Sequence, residues 1–241
     1  HIKGFELLGA KVDVGQGKIS AKAKKLVGTS IYMDVVSVGA TINVMLAGVF
    51  AEGTTTIDNA AKEPHIVDVA NFLNTMGADI RGAGTDVIKI NGVKELKHEG
   101  TYSVVPDQIE AGTFMAAAIA TKGDILIKNC ISEHLDCITA KIMEIGGNVE
   151  DLGDTIRVWT NKRPNKANIK TLPYPGFPTD MQPQMGVVLS IADGTSIINE
   201  SIWESRFQYT NELNNMGAHI TAQGKTAIIE GVKELSGAPV Y

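Results

Sequence analysis

Polar and apolar residues alternate along Ala78-Asp79-Ile80-Arg81 and again along Asp86-Val87-Ile88-Lys89-Ile90, and a period of two predicts paired, half-buried strands. The pattern is different from Ile109 to Ala120, where apolar and small residues lie on every side of a helical projection. A helix apolar nearly all round is a buried helix. After Gly123 the run Ile125-Leu126-Ile127-Lys128-Asn129 returns to strand character, and Leu135, Ile138, Ile142 and Ile145 then recur at helical spacing, predicting a second helix from about Glu133 to Ile145. Thr101-Tyr102-Ser103-Val104-Val105 reads as a strand leading into the first of these helices. The unit is β-α-β-α-β-β.

That unit recurs. The motif [LMI]-G-[AG] stands at Leu8-Gly9-Ala10, Met76-Gly77-Ala78, Ile145-Gly146-Gly147 and Met216-Gly217-Ala218, with glycine-to-glycine steps of 68, 69 and 71. A second marker, Gly53, Gly123 and Gly194, has steps of 70 and 71, and a third, Asp34, Asp107 and Asp180, has two steps of 73. Three markers with one period of about 70 residues define a structural repeat. In the first copy the second helix opens on Glu63-Pro64, with proline in the first turn, where its missing N–H is not needed.

A helix apolar all round needs cover from several neighbours, which a thin solenoid does not provide. The expected architecture is therefore α/β, with several copies placing their sheets outside and their buried helices inside. Pro106 breaks a strand ladder, and the domain boundary is expected there, giving lobes 1–105 and 106–241. Buried helices at about Gly39 to Phe50 and Ile109 to Ala120 are expected on either side of it. The stretch from Asn161 to Pro178, with Lys162-Arg163-Pro164-Asn165-Lys166 and three further prolines, reads as an extended solvated loop. The chain enters partway through one copy and leaves partway through another, so it is expected to be incomplete as a functional unit.

The composition narrows the function classes. Of 241 residues, 44% are hydrophobic and only 5% aromatic, so the core rests on aliphatic side chains and methionine. The net charge of −5 and the four arginines, Arg81, Arg157, Arg163 and Arg206, leave no clustered basic face for nucleic acid or an acidic membrane. No apolar run approaches the roughly 20 residues of a membrane span. Cys130 and Cys137 lack a disulfide-framework or zinc spacing, which makes them structural thiols in a reducing, cytoplasmic setting. His1, His65, His98, His134 and His219 show no metal-ligand spacing and read as surface or cap residues.

No common catalytic signature is present, so chemistry has to be sought in the repeat. Asp34, Asp107 and Asp180 each precede a helix pattern. For Asp34 and Asp107 the expected role is an N-cap. Ser37-Val38-Gly39-Ala40-Thr41 offers small residues at a helix start, where backbone N–H groups can meet an anion. Phe177-Pro178-Thr179-Asp180-Met181-Gln182-Pro183 holds an aspartate between prolines, and a carboxylate held that firmly can act as a base.

These two segments, together with Ala51-Glu52-Gly53-Thr54-Thr55 and Asn59-Ala60-Ala61-Lys62-Glu63-Pro64, resemble the UDP-N-acetylglucosamine 1-carboxyvinyltransferases along the whole chain. The resemblance implies two inside-out α/β barrel lobes with the active site in the cleft between them. It implies transfer of the enolpyruvyl group of phosphoenolpyruvate to the sugar 3-hydroxyl of UDP-N-acetylglucosamine, with release of phosphate, in peptidoglycan synthesis, cell wall biogenesis, cell shape and division. No cofactor, metal, nucleic acid or membrane partner is implied. By the same resemblance Asp180 contacts the sugar hydroxyl as the catalytic residue. Ser37, Val38 and Gly39 bind the diphosphate, with Val35 where some members carry a lysine, which removes a point charge. Ile202 contacts the sugar through its backbone, and Arg206 lies near the cleft. The family's cysteine loop and its Lys-Asn pair would precede His1, and its C-terminal arginines would follow Tyr241. The chain as given is therefore expected to be inactive without those flanking segments. Two alternatives are the sibling that uses shikimate 3-phosphate, disfavoured by the segments at Ser37 and Phe177, and a catalytically dead module that binds a sugar nucleotide or a protein.

Overall fold

The structure, a computed structural model, describes residues 1–98 and 100–240. The chain divides into two compact units, His1–Val105 and Pro106–Tyr241.

The first unit opens with helix α1 (Ile2–Leu7) and the antiparallel hairpin β1 (Lys11–Gly15) and β2 (Lys18–Lys22). A full copy of the repeat follows: β3 (Ser30–Tyr32), α2 (Val38–Gly48), β4 (Thr54–Asp58), α3 (Pro64–Thr75), β5 (Asp79–Arg81) and β6 (Val87–Asn91). Its sheet has the order β3-β4-β6-β5, parallel between β3 and β4 and antiparallel elsewhere. Ile57 of β4 and Ile88 and Ile90 of β6 turn inward onto Val44 and Met45 of α2 and Ile66 of α3 to form the core.

The second unit holds α4 (Gln108–Thr121), β7 (Asp124–Lys128), a 3-10 turn at Ser132–Leu135 running into α5 (Asp136–Glu144), β8 (Asn148–Asp151) and β9 (Thr155–Trp159). It continues through β10 (Asn168–Lys170), a 3-10 turn at Thr179–Met181, α6 (Gln182–Ser190), β11 (Thr195–Asn199), α7 (Tyr209–Asn215), β12 (His219–Gln223) and β13 (Thr226–Glu230). The sheet β10-β11-β13-β12 repeats the order and directions of the first unit's sheet, and β7-β9-β8 is the same sheet without its first strand. Helices α4 and α6 pack on each other, α4 also on β7 and β9, and α6 also on β11 and β13. Within this unit the sheets are outside and the two helices inside.

The physical origin of the period is visible at the four marker glycines. Gly9, Gly77, Gly146 and Gly217 have φ of 97°, 100°, 91° and 94°, a conformation costly for any residue with a Cβ. Each ends a helix with the same pair of bonds; Gly77 N–H, for example, donates to Asn74 O at 3.0 Å and Ala78 N–H to Leu73 O at 3.1 Å. This is the Schellman closure. Asn74 and Asn214 then hold the following strand, each accepting from the N–H of Ile80 or Ile220 and donating to the same residue's carbonyl, all at 2.9 Å.

Three expectations are corrected. Thr101–Val105 forms no strand. Tyr102 instead donates its hydroxyl to Asp68 Oδ1 of α3 at 2.8 Å and stacks at a tilt on Phe72, 5.1 Å between ring centroids, while Val104 is exposed. The alternation there serves docking onto a helix rather than a ladder. The stretch from Asn161 to Pro178 is not merely solvated, since it contains β10, whose Ile169 is buried beside Ala167 and Thr171. Finally, α2 and α4 are not covered on every side: Leu46 of α2 and Phe114 of α4 are exposed, and the first helix ends at Gly48, before the exposed Phe50.

Candidate active site

Phe177 and Met181 are buried on either side of Thr179 and Asp180, and they anchor the turn that presents the aspartate. Met181 fits because Gly112 of α4 has no side chain; a Cβ there would lie 2.8 Å from Met181 Sδ and 2.9 Å from Ile138 Cδ1. With the neighbours fixed inward, Asp180 points outward, its side chain 59% exposed. It caps no helix N–H. Its partner is Arg206, whose Nη2 donates to Asp180 Oδ1 at 2.6 Å while Nη1 donates to Thr179 Oγ1 at 3.1 Å.

Glu200, one residue past β11, organises this cluster from below. It is 1% exposed. Its Oε1 accepts from Thr171 Oγ1 at 2.8 Å, Ile202 N–H at 2.7 Å and Trp203 N–H at 3.0 Å. Its Oε2 accepts from Thr179 Oγ1 at 2.8 Å and Gln182 Nε2 at 3.0 Å. Burial pushes the carboxyl up, but the bonds from Trp203, Thr171, Thr179 and Ile202 outweigh it and hold the acid below its ordinary range. Behind it lies Tyr209, whose phenol is pushed far above its ordinary value by burial and by the charge of Glu200.

The structure thus brings Asp180, Ile202 and Arg206 together in the second unit. The N–H of Ile202 is committed to Glu200, so a backbone contact from Ile202 to a ligand would run through its carbonyl. Glu200 was not legible as a site residue, although one signal points to it. Six residues after the marker glycines Gly53 and Gly123 stand Asn59 and Asn129, and six after Gly194 stands Glu200.

In the first unit, α2 is capped by Ser37, whose Oγ accepts from Ala40 N–H at 3.3 Å. Asp34 is therefore not the cap. It lies outside the helix in an ion pair with Lys3 at 2.7 Å, because the chain needs three more residues before it can turn into α2. Asp107 does cap α4, accepting from Ile109 N–H at 2.8 Å. Val38 and Gly39 occupy the first turn of α2, and the imidazole of His1 lies over Gly39, 3.3 Å from the place of a Cβ. Val35 is exposed just before the cap and brings no charge.

Both cysteines are free. Only Cys137 is on a helix, while Cys130 follows β7, and burial raises the pKa of each thiol. Among the described residues no group of His, Cys, Asp or Glu side chains is arranged to hold a metal ion, and no helix is long and apolar enough to cross a membrane.

The family model described as EPSP synthase (3-phosphoshikimate 1-carboxyvinyltransferase) matches residues 1–241. UDP-N-acetylglucosamine 1-carboxyvinyltransferase of Clostridium botulinum is 60% identical over 240 residues, covering 100% of this chain and 57% of the relative. A third-numbered enzyme of the same name from Caldanaerobacter subterraneus is 59% identical over 242 residues, covering 100% of this chain and 58% of the relative. The chain therefore spans less than two thirds of these relatives. The crystal structure of the enolpyruvyl transferase NikO from Streptomyces tendae superimposes with a TM-score of 0.85 at 22% identity, covering 95% of this chain and 57% of that one. EPSP synthase from Acinetobacter baumannii gives a TM-score of 0.65 at 20% identity, covering 98% of this chain and 57% of that one. The shared fold is the inside-out α/β architecture.

Proposed function

Because the chain belongs to the EPSP synthase (3-phosphoshikimate 1-carboxyvinyltransferase) family of enolpyruvyl transferases, we propose that it is the part of a UDP-N-acetylglucosamine 1-carboxyvinyltransferase that positions the sugar nucleotide. The complete protein would transfer the enolpyruvyl group of phosphoenolpyruvate to the sugar 3-hydroxyl, in the cytoplasm, and supply peptidoglycan synthesis and with it cell shape and division. His1–Val105 would be part of one lobe and Pro106–Tyr241 part of the other.

The observation that carries this reading is the identity of 60% along the whole chain with a relative of that activity. The residue roles are consistent with the local geometry. Asp180, outward and aimed by Arg206, would accept the proton of the sugar hydroxyl as its oxygen attacks the enol carbon. The Ile202 carbonyl would hold the sugar. Ser37, Val38 and Gly39 would meet the diphosphate at the positive end of α2, without a cation from Val35.

The test is phosphate release by the complete protein. Phosphoenolpyruvate with UDP-N-acetylglucosamine is expected to give turnover, and phosphoenolpyruvate with shikimate 3-phosphate none. The reverse pattern would assign the sibling activity, and no turnover with either would leave only a binding module.

A further inference from the structure

We infer that Glu200 is a positioning residue for the Asp180–Arg206 pair, acting through the hydroxyl of Thr179. This rests on the functional reading above, in which Asp180 addresses the sugar. The first observation is the departure from the repeat. Asn59 and Asn129, at the matching place in the other copies, take left-handed backbone conformations with φ of 59° and 54°, and Asn59 ties its amide to Met33 O at 2.8 Å. In the third copy the place is taken by a carboxylate that is almost completely buried and, among the described residues, has no cation bonded to it. A buried charge is costly unless several donors satisfy it, and the other two copies carry a neutral asparagine at this place.

The second observation is what those donors are. They come from the end of β10 (Thr171), the turn that carries Asp180 (Thr179), the start of α6 (Gln182) and the loop that carries Ile202 and Trp203. One carboxylate joins the separate segments that carry Asp180 and Ile202. Thr179 has a single hydroxyl proton. Because a carboxylate can only accept, that proton points at Glu200 Oε2, which turns the oxygen's lone pairs toward Arg206 Nη1. The guanidinium is planar, so fixing Nη1 on Thr179 also fixes the direction from which Nη2 reaches Asp180.

Glu200→Gln separates this role from simple packing. Its new amide group would meet the N–H donors of Ile202 and Trp203 on one side, so it is expected to face Thr179 and Gln182 on the other. Gln182 Oε1 is buried without a hydrogen-bond partner, and rotation of the Gln182 amide gives the new donor an acceptor. The fold can absorb the change. Thr179, however, would then accept from residue 200 and compete with Arg206.

The experiment is steady-state kinetics of the complete protein with UDP-N-acetylglucosamine and phosphoenolpyruvate, for wild type, Glu200→Gln, Thr179→Val, Thr179→Ser and the double variant Glu200→Gln/Thr179→Val. A misplaced reacting group costs on the order of 10–100-fold in kcat, and that loss is expected for Glu200→Gln and Thr179→Val, with KM for phosphoenolpyruvate within about threefold of wild type. Thr179→Ser keeps the hydroxyl and should retain turnover. The double variant should be no slower than the slower single, because both changes cut one path. Wild-type kcat in Glu200→Gln, or single losses that multiply in the double variant, would overturn the inference. Should Glu200→Gln not fold, equal turnover of Thr179→Val and Thr179→Ser overturns it as well. A wild-type protein without turnover removes the functional reading instead, and this inference falls with it.

Discussion

Nη2 of Arg206 lies 2.6 Å from Oδ1 of Asp180, and the same guanidinium reaches Thr179 through Nη1. The aspartate is thus aimed by a fork of donors and not by the helix that follows it. Lysine carries the charge without the fork. Arg206→Lys is expected to lower kcat/KM of the complete protein by about tenfold or more, the loss of one oriented charge-assisted bond. Stability should change by no more than about 1 kcal/mol, since the pair is 30% and 59% exposed. A urea titration and a phosphate-release assay on the same preparation check both halves.

Asp180→Asn removes the proton acceptor at a site that supports no helix cap. Turnover is expected to fall by roughly 10²–10⁴, the usual share of a general base, with the melting temperature nearly unchanged. Turnover within about threefold of wild type would assign Asp180 to substrate positioning alone.

Arg163 lies in the stretch that reads as solvated, yet its guanidinium donates to the carbonyls of Ile191 at 2.9 Å, Ala192 at 2.7 Å, Gly231 at 3.3 Å and Val232 at 2.9 Å. It satisfies the C-terminal end of α6 and the exit of β13 together, at the end of the helix that attracts cations. Arg163→Met keeps much of the side chain's bulk and leaves those carbonyls without their donor, at a cost of about 2–4 kcal/mol. A urea midpoint unchanged from wild type would contradict this role.

Glu200 also sets an acid limit. Its folded pKa is lowered relative to the ordinary value of 4.5, so its stabilisation is fully present above that value. It is lost as pH falls through the lower folded pKa, because the unfolded chain then binds a proton the folded one refuses. Stability measured from pH 6 down to about pH 3 should therefore fall less steeply in Glu200→Gln than in wild type.

Cys130 and Cys137 have raised pKa values, chiefly through burial, and the thiolate is the reactive form. Both are expected to resist iodoacetamide at pH 7.5 in the folded protein and to react in urea. Mass spectrometry after a short pulse reads the difference.

What the sequence determined by itself is the repeat. Positive φ at Gly77, Gly146 and Gly217 is a demand of the local backbone, so glycine recurs wherever a helix must end and a strand begin. Strands such as β6 and β7 carry their period of two in their own residues. The family resemblance was legible for the same reason, since Ser37–Gly39 and Phe177–Gln182 are contiguous. What only the tertiary structure decided depends on partners distant along the chain. Tyr102 left the strand pattern for Asp68, 34 residues away; β10 exists because Ile169 pairs beside Ile198; and Ser37 rather than Asp34 reaches the N–H of Ala40 in the first turn of α2. Glu200 is the clearest case. A lone glutamate after a strand reads as surface, and only the convergence of Thr171, Thr179, Gln182 and the Ile202 loop supplies the donors that make its burial as an anion possible.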